Sequence, residues 1–174
     1  MGMPAIQRRR FQIEILTDTY LATGELEPIG PFMLYLNDAS RPTFVLKGVV
    51  LTAIDPANLT GIVKMEELQV FKKHVVAIRL PDASTRNTLP LMPKREMFRI
   101  ITKHYAIQAT FACGPDTPVY ELFESIHGDW APCIDAHVHP LQHVKHAIFQ
   151  AAPNLTINKQ AILFAQPIGK PPTA

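Results

Sequence analysis

The fold of this chain can be read from IEILTDTYLATGEL, residues 13–26. The same pattern returns without a gap 85 residues later, as FRIITKHYAIQATF, residues 98–111. In each stretch, apolar and polar residues alternate on both sides of a short polar turn, which is typical of two strands that bury one face. The two stretches therefore predict two copies of one β-hairpin.

Other segments repeat in the same order along the chain. The matching segments are VLKGVVLT (45–52) with CIDAHVHP (133–140), LQVFKKHVVAI (68–78) with LTINKQAILFA (155–165), and short helical stretches at 32–37 and 117–126. These matches predict a mainly β protein made of two tandem units related by internal duplication, each with a short helical turn. The alternative interpretation is a single irregular β domain.

A polar segment separates the two predicted units. PDASTRNTLPLMPKREM, residues 81–97, contains three prolines and no apolar periodicity, which indicates a linker. The predicted organisation is, in chain order, a flexible tail (1–9), a first small β-barrel (10–80), the linker (81–97), a second small β-barrel (98–168) and a tail (169–174).

Composition indicates a globular protein without a dominant electrostatic surface. Of 174 residues, 47% are hydrophobic and 18% charged, and the net charge is only +2, which gives no support to strong nucleic-acid binding. The two cysteines cannot form a disulfide framework, and no apolar run reaches the roughly 18 residues of a bilayer span. The start, MGMPAIQRRR, lacks the apolar core of a signal peptide. We therefore expect a cytoplasmic protein that does not contact a membrane.

Four of the seven histidines lie in CIDAHVHPLQHVKH, residues 133–146. Its Asp-Ala-His-Val-His resembles the metal-binding strand of amidohydrolases, but that family resembles a TIM barrel of about 250 residues, and only 35 residues follow His139. His137, His139 and His143 are the candidate ligands of a smaller metal site. The alternative is an ordinary surface or interface cluster, and we expect no cofactor.

The repeat predicts which way these side chains point. It aligns His137 with Val49 and His139 with Leu51. Because residues two apart on a strand share a face, Asp135 and both histidines are predicted to point outward together.

Two segments resemble parts of the PilZ motif, RxxxR followed by D/N-x-S-x-x-G, which belongs to β-barrels that bind a cyclic dinucleotide. The segments are QRRRF (7–11) and NDASRPT (37–43). Gln12 stands four residues after Arg8, where the second arginine belongs, and Thr43 stands in place of the glycine. Both halves of the motif depart from the pattern, so cyclic-dinucleotide binding is only a remote alternative.

The succession TDTYLATGEL, LYLNDASRPTFVLKGV and FKKHVVAI, within residues 10–80, resembles an uncharacterised bacterial domain family of small Sm-like β-barrel character. This resemblance implies Sm-like or SH3-like barrels and no established activity. Sm proteins form RNA-binding rings whose final hairpin presents an Arg-Gly pair. The corresponding positions here make Lys72, Lys73 and Lys159 the candidate nucleic-acid contacts, but the Arg-Gly pair is missing.

No set of catalytic residues emerges from the sequence. The serines lack the GxSxG setting of an esterase nucleophile, and neither GxGxxG nor a P-loop is found. We therefore expect a protein that is not an enzyme. The predicted function is an interaction or assembly module that binds a protein partner or associates with itself, with weak RNA binding and metal binding as alternatives.

Overall fold

The computed structural model describes residues 9–81 and 92–169, which form one ten-stranded antiparallel sheet with a few short helices. The strands are β1 (Phe11–Thr17), β2 (Tyr20–Leu26), β3 (Thr43–Ala53), β4 (Ile62–Phe71), β5 (Val75–Arg79), β6 (Lys94–Ile101), β7 (Tyr105–Cys113), β8 (Trp130–Pro140), β9 (Ala151–Asn158) and β10 (Phe164–Gly169). The mainly β prediction is confirmed.

Strand order across the sheet is β10-β6-β7-β8-β9-β5-β1-β2-β3-β4. The first five strands and the last five therefore have the same internal order, and β5 pairs with β9 to join them. The prediction of two closed barrels is wrong, because the ten strands form one open sheet and neither half closes on itself. A closed first barrel would pair β5 with β4, whereas β5 uses its second edge to pair with β9 of the other half.

The two hairpins that opened the sequence comparison are present, and each is closed by a threonine. Between β1 and β2, the Tyr20 amide donates to Thr17 Oγ1 at 2.9 Å. Between β6 and β7, the Tyr105 amide donates to Thr102 Oγ1 at 3.1 Å. A hydroxyl that accepts from the backbone three residues later substitutes for a turn hydrogen bond, so both halves begin with the same locally encoded turn.

A short helical segment follows the second strand of each half. These segments are α1 (Phe32–Asn37) in the first half, and a 3-10 turn (Val119–Glu121) leading into α2 (Leu122–Ser125) in the second. A further 3-10 turn, Lys72–His74 or Lys159–Ala161, precedes the last strand of each half. The short helical turn predicted for each half is therefore confirmed.

The core consists of two clusters of buried apolar residues, each formed mainly by one half. The first half contributes four residues to the cluster of the second half: Leu16, Ile54, Val76 and Ala77. In return, Trp130 of the second half is buried in the cluster of the first. The two halves thus complete each other's cores.

Strands β3 and β8 each contain one residue in the left-handed region, Gly48 with φ 57° and Asp135 with φ 50°. The register of each strand with its neighbour shifts at this point, which marks a β-bulge. These bulges make Gly48 the equivalent of Asp135, so the sequence alignment was one residue out in this strand. His137 and His139 correspond to Val50 and Thr52.

Strand β6 begins at Lys94, inside the segment predicted to be a linker. Residues 82–91 of that linker, the tail at 1–8 and residues 170–174 lie outside the described residues. Within the described ranges, no helix is long and apolar enough to cross a membrane.

Candidate functional site

In each half, a lysine ammonium group binds the end of the short helical segment. Lys72 Nζ donates to the carbonyl oxygens of Tyr35 and Asp38, both at 3.1 Å. Lys159 Nζ donates to two carbonyl oxygens at the end of α2, at 3.1 and 2.7 Å. The last carbonyl groups of a helix lack partners within it, so the two lysines satisfy them in the same way.

These bonds bear on the candidate nucleic-acid contacts. Lys72 and Lys159 are half-buried and directed at their own chain, and burial lowers the pKa of Lys72. Lys73 is exposed. The structure therefore brings the three lysines to the same type of turn but presents only Lys73 fully to solvent.

The histidine candidates lie on the outer surface of the second half. His137 and His139 are exposed on β8, as predicted, and His143 is exposed in the loop that follows. The Asp135 side chain is also exposed, at the bulge. In the part of the chain that the structure describes, no three His, Cys, Asp or Glu side chains are grouped as a metal site requires.

The segment that resembles part of the PilZ motif forms a self-contained turn. Asp38 accepts hydrogen bonds from the Ser40 hydroxyl at 2.6 Å and from Arg41 Nε at 3.1 Å. The bonds from Ser40 are the main cause of a lowered pKa at Asp38. Arg8, the candidate in the other half of the motif, lies outside the described residues.

Both cysteines are buried and free. Burial raises the pKa of the Cys113 thiol and, more strongly, that of the Cys133 thiol. Since the thiolate is the reactive form, both side chains are suited to packing in the core.

A cavity of about 410 Å³ lies where the two halves meet, beside Trp130 and Asn158. Its charged lining residues are of both signs: Arg41, Lys72, Lys73, Asp38 and Asp129. A second cavity, of about 430 Å³, has a more apolar wall that includes Met33, Met92 and Trp130. Ser125 and His127 both line this second cavity, but the Ser125 hydroxyl donates to the Leu122 carbonyl oxygen at 2.7 Å. Covalent catalysis needs a nucleophile that is hydrogen-bonded to its activating base.

The junction between the halves is built from backbone pairing and buried polar bonds. Ala77 lies opposite Ile157 in the β5–β9 pair. The Tyr105 hydroxyl donates to the Thr17 carbonyl oxygen at 2.7 Å, and burial raises the pKa of this phenol. The Asn158 amide also donates across the junction, to two carbonyl oxygens near the end of β4 and the start of β5, at 3.1 and 3.0 Å. We call this arrangement the internal junction.

Among the described residues, β4 and β10 each pair on one side only, so they are the two outer edges of the sheet. Large apolar side chains are exposed on or beside these edges. They are Ile62 and Phe71 on β4, Leu163 just before β10 and Phe164 at its start; Leu141, in the loop after β8, is exposed as well. Unpaired strands next to apolar side chains are a favourable surface for binding another strand.

Sequence reasoning did not identify these edges. Leu163 and Phe164 align with Val76 and Ala77 of the first half, and the alignment does not show that the two pairs differ in exposure. The available signal was the repeat itself. If the last strand of the first half is covered by the second half, the last strand of the second half has no equivalent cover among the residues that the structure describes.

Comparison of the chain with known family models, with curated proteins and with solved structures finds no match.

Proposed function

We propose that this chain is a non-enzymatic assembly module that associates with copies of itself. In this proposal it consists of two tandem Sm-like or SH3-like units that arose by internal duplication. The shared strand order, the two threonine-closed hairpins and the matching bonds of Lys72 and Lys159 support the duplication. Such agreement across turns, packing and backbone pairing is stronger support than a sequence pattern alone.

One observation carries the functional proposal, namely the exposed apolar side chains at both unpaired edges. Soluble proteins usually protect edge strands with charges, bulges or covering loops. Strand β10 carries no charged residue, its proline and register shift lie at its far end, between Pro167 and Gly169, and Phe164 at its start is 71% exposed. Covering a surface of this kind with another strand removes apolar side chains from water and so lowers the free energy.

Light scattering coupled to size-exclusion chromatography tests the proposal on the full chain. We expect a mass that is a multiple of 19.4 kDa and that falls on dilution. A single species of 19.4 kDa at the highest soluble concentration would contradict the proposal.

A further inference from the structure

We propose that copies of this chain join head to tail, with β10 of one copy paired antiparallel to β4 of the next in the register of the internal junction. This inference rests on the proposed self-association and names its partner and geometry. It places Phe164 opposite Val70 of the next copy, Ala165 opposite Gln69, and Gln166 opposite Leu68.

The first step is the equivalence of the two last strands, β5 and β10. In the first half, Ile15 of β1 pairs with Ile78 of β5. In the second half, Ile100 of β6 pairs with Ala165 of β10. Because the repeat matches Ile15 with Ile100, Ile78 is equivalent to Ala165. The residues before them, Ala77 and Phe164, are then equivalent as well.

The second step is the equivalence of β4 and β9. Leu46 of β3 pairs with Leu68, and Cys133 of β8 pairs with Leu155. Leu46 and Cys133 both lie two residues before the left-handed position of their bulge. Leu68 is therefore equivalent to Leu155, and Val70 is equivalent to Ile157.

The internal junction then acts as a template. Its pairs are Ala77 with Ile157, Ile78 with Thr156, and Arg79 with Leu155. Replacing each residue by its equivalent in the other half gives the three pairs proposed between copies. Among the described residues, the two edge strands of the sheet, β4 and β10, are thus the equivalents of β9 and β5, which already pair inside the chain.

The exposed fractions of equivalent side chains show which positions lack a covering partner. At the internal junction, Val76 and Ala77 are 3% and 0% exposed because the second half covers them. Their equivalents, Leu163 just before β10 and Phe164 at its start, are 59% and 71% exposed. Covering these two side chains with the β4 edge of a second copy would bury them in the way that their equivalents are buried.

The loops beside the edges repeat the same contrast. The Ile54 amide donates to the Thr19 carbonyl, and the Leu141 amide donates to the His104 carbonyl, so Ile54 and Leu141 are equivalent. Ile54 is buried in the cluster of the second half, whereas Leu141 is exposed. A second copy would supply the missing cover for Leu141.

The tyrosine–threonine hydrogen bond of the internal junction also has an equivalent pair of residues in the other positions of the repeat. Tyr105 donates its phenolic proton to the Thr17 carbonyl across the internal junction. The equivalent residues are Tyr20 and Thr102. The Tyr20 hydroxyl accepts a bond from Asn58 at 2.6 Å, so its own proton can be donated to the Thr102 carbonyl oxygen of the preceding copy, the one that supplies β10.

Charges and a proline limit how far the new pair extends. Lys64, Glu66 and Glu67 keep the first part of β4 polar. At the other end, Pro167 occupies the position of Leu80, whose amide donates to Asn154 at 3.4 Å in the internal junction. Proline has no amide proton to donate, so the pairing is confined to the three residues that the template also uses.

Cysteine cross-linking of the full chain tests the register. The Leu80 amide donates to the carbonyl of Asn154, the residue opposite it, so Leu80–Asn154 is a hydrogen-bonded pair. Hydrogen-bonded and non-hydrogen-bonded pairs alternate along antiparallel strands, so Ala77–Ile157, three positions away, is a non-hydrogen-bonded pair. The same then holds for its equivalent, Phe164–Val70. Such pairs have Cα atoms about 4.5 Å apart, within disulfide range. We expect Val70→Cys/Phe164→Cys to form reducible oligomers under mild oxidation, and Leu68→Cys/Gln166→Cys to report the same register independently. The native thiols are buried and should stay unlinked.

The matched control is Leu68→Cys/Phe164→Cys, which puts the thiols on the same face but two residues out of register and should cross-link far less. Cross-linking of Phe164→Cys alone would indicate that two β10 strands pair with each other. That outcome, or equal cross-linking of the control, overturns the head-to-tail register while leaving self-association intact. A clean monomer in light scattering with no cross-link overturns both proposals.

Discussion

At the scale of single residues, the lysines of the two 3-10 turns have a structural role that can be measured. Lys72 and Lys159 each donate to two carbonyl oxygens at the end of a helical segment. Replacing either lysine by methionine keeps most of the side-chain volume but leaves those carbonyls without their donor. These bonds are only partly buried, so we expect each substitution to lower the free energy of unfolding by about 1–2 kcal/mol, a usual contribution for hydrogen bonds to a charged group.

Lys73→Met is the control for this prediction, because Lys73 lies in the same turn and is exposed. Its effect should stay within about 0.5 kcal/mol, as for most surface substitutions. Chemical denaturation of the three variants measures all these changes. Equal stability of Lys72→Met and Lys73→Met would contradict a structural role for Lys72.

Residue patterns predicted the faces of the first hairpin correctly, but they misaligned one strand. Phe11, Ile13 and Ile15 alternate and are buried, as two-residue periodicity predicts. The misalignment arose at the bulges, where Gly48 and Asp135 both adopt positive φ. Glycine and aspartate do not look equivalent in sequence, although both tolerate the left-handed region better than most residues. Only the backbone angle showed that they match.

At the scale of elements, β10 offers the sharpest test of the edge. Phe164→Glu places a charge inside the proposed contact, opposite Val70 of the next copy, where it would have to lose its hydration. We expect this substitution to shift the chain towards monomer in light scattering. Because Phe164 is 71% exposed in the single chain, the free energy of unfolding should change by no more than about 0.5 kcal/mol.

Leu34→Glu is the matched control, since Leu34 on α1 is 70% exposed and belongs to neither edge strand. It adds the same charge at a similarly exposed apolar position and should leave the assembly unchanged. Loss of the assembly in both variants would point to a general effect of charge instead of an effect at the β10 edge.

The existence of most elements was predictable, whereas their connection was not. Strand alternation is encoded in side chains, so the sequence revealed it. The pairing of β5 with β9 consists of backbone hydrogen bonds between segments far apart in the chain. Backbone groups are the same for nearly every residue, so this pairing left no pattern, and two separate barrels were predicted in its place.

At the scale of the whole molecule, the shared cores predict that the halves unfold together. Trp130 is the only tryptophan, and it belongs to the second half but is buried in the cluster of the first. Its fluorescence therefore reports on the contact between the halves. We expect the denaturation midpoints from tryptophan fluorescence and from far-ultraviolet circular dichroism to coincide, as they do in a two-state transition. A fluorescence change that precedes the loss of β-structure would show that the halves separate first.

The internal junction also has a consequence for how an assembly responds to concentration. Each chain carries one junction that forms within the chain, so its formation is independent of protein concentration. In a closed head-to-tail assembly, every second junction is of this kind, and the number of repeated units is always even. Dilution can therefore open only alternate contacts, and the smallest product of disassembly is a two-unit chain that is already folded.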